Sequence, residues 1–307
     1  ADHPFMDHLN RWGPRTAFVS VKEAQDNKLI PPLLPVLVGV KLSELSNLPG
    51  MPKKPKNGMP ILKTPVNGFN TVIHDGIERV MNVEELGRFF AVLKAMVQRP
   101  ELFLNKHITG FSHFLGQAKL FRENFKTIIN HIDSNGLVGK KLKGLLILLL
   151  NEKKDGTINK KKLDTFFDEK EAIIISQKLL GRGTDLQFQT AFHIVLKTTR
   201  EMLQEVFRLM RLADLPYNHP KQQRYYIMPV IINDIDPSTP TIDQEFADRL
   251  NDLLENFVSA KTEMEEIWRK GTSSGGGGGG GGGSLMAIDI DGQSMNAIVK
   301  TMSQRHP

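Results

Sequence analysis

The residues of this chain most able to do chemistry are lysines packed into one stretch. Between Leu137 and Lys162 stand Lys140, Lys141, Lys143, Lys153, Lys154, Lys160, Lys161 and Lys162, with Glu152 and Asp155 as the acids among them. Clustered ammonium groups neutralise phosphates, and each neutralised phosphate adds to the salt dependence of binding. If Lys140–Leu150 is a helix, its outer face and the following turn set these lysines at one end of an apolar element; the plain alternative is a solvated lysine-rich loop. A second basic region combines Arg182, Arg208, Arg211, Lys221 and Arg224 with Tyr225 and Tyr226. Exposed tyrosines stack the bases of single-stranded nucleic acid. Equally, the two tyrosines belong to a strand.

Signs of catalysis are absent from the sequence. Without cysteine there is no thiolate nucleophile, disulfide or thiolate metal site. His3 with His8, or His107 with His113, could meet in space, yet no HExxH spacing occurs. Asp234 and Asp236, in NDIDP, read as turn residues before proline. A non-enzymatic protein needing no cofactor and no metal is expected.

Two short stretches resemble known families. Asn151–Lys162 resembles an EF-hand loop, with Asp155, Gly156 and Ile158 in the fifth, sixth and eighth places. Asn151 stands first, Lys153 third, and Lys162 replaces the closing glutamate. A lysine cannot ligate calcium, so the stretch reads as a helix–turn–helix joint or a hairpin with an Asp-Gly turn. Gly136–Gly139 followed by Lys140 and Lys141 resembles the GxxG loop of KH-type RNA binders. It does not fit GxxxxGK[ST], because the spacing is too short and no Ser or Thr follows.

The elements that must position these residues read as mostly helical. Asn82 with Glu85 forms a capping-box pattern, and Leu86, Phe89, Phe90, Leu93, Met96 and Val97 trace one helical face up to Pro100. Further helices are expected at Glu101–Leu115, Ala118–Ile132, Lys140–Leu150, around Lys161–Leu180, and at Leu186–Leu212. Val36–Val40 reads as a strand or a packed arm, and Arg224–Ile232 as a strand or extended segment rich in β-branched and aromatic residues. Phe246, Leu250, Leu253, Phe257, Ala260, Met264 and Ile267 form a heptad seam, suited to an internal bundle helix or an inter-subunit zipper. Residues 1–66 are rich in proline and lysine and are expected to form an extended arm.

Gly271–Ser284 is a Gly/Ser tether containing nine consecutive glycines, Gly275–Gly283. It separates a helical body, 67–270, from a tail, 285–307, and implies an engineered fusion or a terminal arm delivered to a docking site. In the tail Met286, Ile288 and Ile290 alternate as in a short strand, Asp291-Gly292 signals a turn, and Met295, Ile298, Val299 and Met302 share a helical face. So short a helix is unstable alone, which makes this strand–turn–helix a docking segment.

Net charge is +6, but residues 241–270 carry eight acids against four bases while 271–307 balance, leaving +10 on the first 240. Such a body favours acidic partners, nucleic acid first. No apolar run exceeds Leu145–Leu150, far short of the ~20 residues a membrane helix needs. No signal segment is visible, and the chain starts at Ala1 without an initiator Met, as a processed product or an excised piece would.

The reading is therefore a mainly α, bundle-like body with an extended N-terminal arm and a docked C-terminal tail. Its expected role is an intracellular, RNA-binding, nucleoprotein- or coat-like subunit of viral type. Lysine patches would grip single-stranded RNA, and the tail would serve self-association or a protein partner. The alternative is a helical adaptor or structural subunit whose tail or heptad helix is the interface.

Overall fold

The longest apolar runs of this sequence are strands, and they lie parallel in one sheet. The computed structural model describes residues 21–53, 58–150, 160–177, 188–194, 201–202, 206, 209, 211–255 and 285–304. Helix α1 (Val21–Asp26) leads into β1 (Leu33–Lys41) and α2 (Leu42–Ser46). A hairpin, β2 (Val72–His74) and β3 (Ile77–Arg79), precedes α3 (Val83–Gln98). Then come β4 (His107–Ser112), α4 (Leu115–Ile132), α5 (Leu137–Lys143), β5 (Leu146–Leu150), α6 (Lys160–Asp168) and β6 (Ala172–Gln177). β7 (Thr190–His193), β8 (Arg224–Asn233), β9 (Thr241–Ile242), α7 (Gln244–Glu255), β10 (Met286–Ile288) and α8 (Gly292–Ser303) follow.

The 8-stranded sheet runs β10-β1-β8-β7-β4-β6-β5, with β9 added antiparallel to β8. The pairings along that path are parallel. Because successive side chains point to opposite faces, each strand feeds two cores. On one face Val36, Val38, Ile108, Ile173, Ile175 and Phe192 meet Leu86, Phe89 and Leu93 of α3, Phe121 and Phe125 of α4, and Leu142 of α5. On the other, Leu37, Phe111, Ile174, Ala191, Tyr226 and Met228 meet Phe166 of α6, Phe246, Leu250 and Leu253 of α7, and Met295, Ile298 and Met302 of α8.

This architecture corrects the mainly α, bundle-like expectation: the chain is α/β. The cause is physical. A strand covered by helices on both faces needs apolar residues at every position and loses the alternation that marks a half-buried strand. Leu146–Leu150 and Ala172–Gln177 are such runs, and both sit where helices were expected. His107–Ser112 and Thr190–His193 likewise replace parts of expected helices. The extended arm over 1–66 is also corrected, since β1 lies within it and pairs with β8 along all nine of its residues. Residues 1–20 lie outside the described residues, as do 256–284, which hold the tether and Phe257.

Helix α3 starts as the sequence implies. The Asn82 side chain accepts from Glu85 N at 2.8 Å, and Glu85 Oε2 accepts from Asn82 N at 3.2 Å, which together satisfy two end donors. Helix α8 is capped by Asp291, whose Oδ1 accepts from Ser294 N at 2.7 Å. The chain bends tightly between β10 and α8, with Asp289 at φ 51°. A Cβ on Gly39 of β1 would lie 2.4 Å from Asp289 O, so this edge requires glycine. No described helix is long and apolar enough to cross a membrane.

Candidate ligand site at the amino edge of the sheet

Parallel strands start on the same edge of the sheet, so the residues just ahead of each start become neighbours. Along β8, β7, β4, β6 and β5, in that spatial order, Lys221, Gln189, Lys106, Lys170 and Lys143 stand within three residues ahead of the strand start. Neighbouring strands lie about 4.8 Å apart, so five of them span roughly 19 Å. Within this edge lies a cavity of about 650 Å³, lined by Leu104, Asn105, Lys106, His107, Phe167, Asp168, Glu169, Lys170, Gln189, His219, Pro220 and Lys221.

The cavity floor is fixed by main-chain bonds. Gln189 Oε1 accepts from His107 N at 2.8 Å, and Gln189 N donates to His107 O at 3.0 Å. Because Oε1 must face that N–H, the Nε2 end is the free one, and it has no hydrogen-bond partner among the described residues. His107 Nε2 donates to Glu169 O at 2.8 Å, which assigns its proton to that nitrogen. Burial lowers the His107 pKa despite the Glu169 bond that opposes it, and nearby Lys221 lowers it further. The ring is neutral at pH 7 and packs against Phe166 and Phe167, with centroids at 4.7 and 5.1 Å.

Lys106 is the half-buried cation. Its Nζ lies 5.6 Å from the Tyr225 ring centroid. Burial lowers its pKa; Glu101 opposes the shift and Arg224 adds to it. Lys170 and Lys221 are exposed, and neither ammonium makes an ion pair or hydrogen bond to a described residue. Lys170 and Lys221 therefore carry no bond to a described residue that a ligand would have to break.

Arg224 requires a correction. Expected to grip a phosphate, it is 1% exposed. Its Nε donates to Leu209 O at 3.0 Å and its Nη2 to Arg211 O at 2.9 Å. Nη1 bonds Lys221 O and, at 3.4 Å, Gln223 O. Burial lowers its pKa to about 10. With its donors directed at carbonyls, Arg224 ties the chain ahead of β8 to the end of the preceding segment.

The expected lysine patch is divided by β5. Lys140, Lys141 and Lys143 belong to α5, ahead of β5 on the amino edge. Lys141 Nζ pairs with Glu171 at 2.9 Å, and Lys143 Nζ donates to Asn130 Oδ1 at 2.8 Å. Lys160, Lys161 and Lys162 begin α6, after β5, on the opposite edge, and Lys162 Nζ donates to Leu149 O at 3.0 Å. Lys153, Lys154 and Arg208 lie outside the described residues. Arg211 is exposed beside Arg224 on the amino edge, and Tyr225 is half-buried under Lys106. His107 and His113 stand at opposite ends of β4 and do not meet.

In the C-terminal tail, Met286 and Ile288 join the first core, while Ile290, Met295, Ile298, Val299 and Met302 join the second beside Phe246, Leu250 and Leu253. The described part of the heptad seam is thus internal, spent on the sheet and α8.

Sequence reasoning missed Lys106, Phe167, Lys170 and Gln189, and weighed His107 only as a partner of His113. None sits in a dense motif. The available signal was a polar residue just ahead of each buried apolar run, and only the parallel order brings those residues together. Among the described residues, no group of three His, Asp or Glu could hold a metal ion.

No protein-family model matches the chain, and no curated protein sequence does. Among solved structures the chain is similar to the C-terminal domain of the DEAD-box protein Dbp5, at 11% identity, covering 71% of this chain and 91% of that chain. The TM-score is 0.36, so the functional reading rests on the site itself.

Proposed function

We propose that this chain is an α/β nucleic-acid-binding domain that holds a phosphate-bearing strand across the amino edge of its sheet. This replaces the coat-like subunit and the helical adaptor, both of which presupposed a helical bundle that the parallel sheet rules out. The observation that carries the proposal is the row Lys106, Lys170 and Lys221, whose ammonium groups make no ion pair with a described residue, continued by exposed Lys140. A phosphate chain displaces counterions and meets lysines as point charges, which needs mobile ammonium groups rather than a rigid fork. The whole-chain charge of +6 favours the encounter. The role is one of binding, and no chemical step is assigned to it.

The test is the affinity for a labelled single-stranded oligonucleotide at about 50 and 200 mM salt. Each lysine that neutralises a phosphate contributes about 0.7 to the log–log salt slope of a single strand, so a Lys106→Gln, Lys170→Gln, Lys221→Gln triple variant should lose roughly 2 from it. An unchanged slope in a folded triple variant would remove the proposal.

A further inference from the structure

We infer that the cavity at the centre of the amino edge takes one unpaired nucleobase of the bound strand. This rests on the strand reading above and adds what occupies the cavity.

The charges argue first. Inside the cavity Asp168 and Glu169 stand beside Lys106, Lys170 and Lys221, so its wall comes close to balance. Exposed Lys140 lies on the same edge outside it. The exposed ammonium groups of Lys170 and Lys221 meet the strand's phosphates from outside, while the two carboxylates disfavour a phosphate within, so a neutral group is suited to the cavity itself.

The walls argue next. Phe167 is 38% exposed at the cavity. Its ring contacts with Phe166 and His107 are both edge-type, at 83° and 89°, so no described ring stacks parallel on it. Leu104 and Pro220 add apolar wall. A base offers a flat face for such a ring, and stacking of this kind tolerates any base. Its edge carries carbonyl or ring-nitrogen acceptors, for which Gln189 Nε2 is a donor with no hydrogen-bond partner among the described residues. A cavity of about 650 Å³ is within the range that holds a small organic ligand.

The experiment compares two single strands of equal length and charge, oligothymidine and its abasic counterpart, titrated against the full chain, with thymidine monophosphate as a third probe. Oligothymidine should bind about tenfold tighter than the abasic strand, the scale of one base stacked on an aromatic ring. Phe167→Ala should abolish that difference while leaving the abasic affinity and its salt slope unchanged; Phe167→Tyr should restore it. Because Phe167 is exposed, both variants should fold. Equal affinity of the two strands for the unaltered chain would overturn the cavity assignment and leave the strand reading standing. No binding of either strand would overturn the strand reading itself. Tight binding of thymidine monophosphate without strand binding would overturn the assignment in favour of a free nucleotide.

Discussion

The two edges of the sheet spend their charges differently. On the carboxyl edge near β1 and β8, charged groups are bonded within the fold. Lys41 Nζ pairs with Asp291 at 2.7 Å. Lys94 Nζ pairs with Asp289 at 2.7 Å and with Glu44 at 2.8 Å, and Gln98 Nε2 donates to Asp289 at 2.7 Å. Asp234 Oδ1 accepts from Ser43 N at 2.9 Å. These bonds fasten β10 and α8 to β1 and α3. On the amino edge the buried charge, Arg224, is also bonded internally, yet the half-buried and exposed lysines around the cavity are left unpaired. Open parallel sheets usually bind ligands outside their carboxyl ends. Here the described carboxyl edge near β1 and β8 is closed by its own C-terminal segment, and the amino edge carries Lys106, Lys170 and Lys221 without an ion-pair partner among the described residues. The lesson is that unspent charge, rather than edge polarity alone, marks the candidate site.

The largest effect is expected at Arg224, the structural charge of the amino edge. Arg224→Met leaves four carbonyls without their donor and should cost about 4 kcal/mol, the scale of breaking a buried charged network. Chemical denaturation would show it as a lower midpoint at an unchanged slope. On the carboxyl edge, Gly39→Val drives a side chain into the main chain at Asp289 and should cost about 2 kcal/mol by overpacking. Hydrogen exchange should show the loss concentrated in β10 and α8. If protection fell equally across β4 and β6, the tail would not be a separately fastened unit.

A smaller effect is expected with pH. Burial works to raise the Asp291 pKa, but the Lys41 pair and the bonds from Ser294 outweigh it and hold the carboxyl at about 2. Asp289 is also lowered; burial opposes the shift, and Lys94 and Gln98 overcome it. A carboxylate whose folded pKa lies below its unfolded value stabilises the fold above the unfolded pKa, near 4, and loses that contribution as pH falls toward 2. The denaturation midpoint should therefore drop over that window. Asp291→Asn keeps a capping side chain but removes the charge, so it should flatten the drop. An unaltered acid limb in that variant would place the titrating groups elsewhere.

What the sequence made legible was local. The Asn82–Glu85 box and the apolar face from Leu86 to Val97 depend only on neighbours three or four residues away, and α3 spans Val83–Gln98. The strands β5 and β6 were illegible as strands, because burial on both faces removes their period and a run such as LILLL suits a buried helix as well. Ile173, Ile174 and Ile175 offered a β-branched signal, but the amphipathic helix just before them made one long helix the natural reading. The site was less legible still. Lysine density pointed to Leu137–Lys162, which β5 divides between two edges, while Lys106, Lys170 and Lys221 stand apart in sequence and meet only through strand order. Arg224 shows the converse failure: composition marks it as a surface cation, and only the fold reveals its carbonyl partners.

The most direct test of the contrast is lysine acetylation footprinting by mass spectrometry, with and without a bound single-stranded oligonucleotide. Lys106, Lys170 and Lys221 should be protected by the strand, while Lys161 and Lys41 on the carboxyl edge should react equally in both samples. Protection of Lys161 or Lys41 with none at Lys106, Lys170 or Lys221 would contradict the account and move the binding surface to the other edge of the sheet.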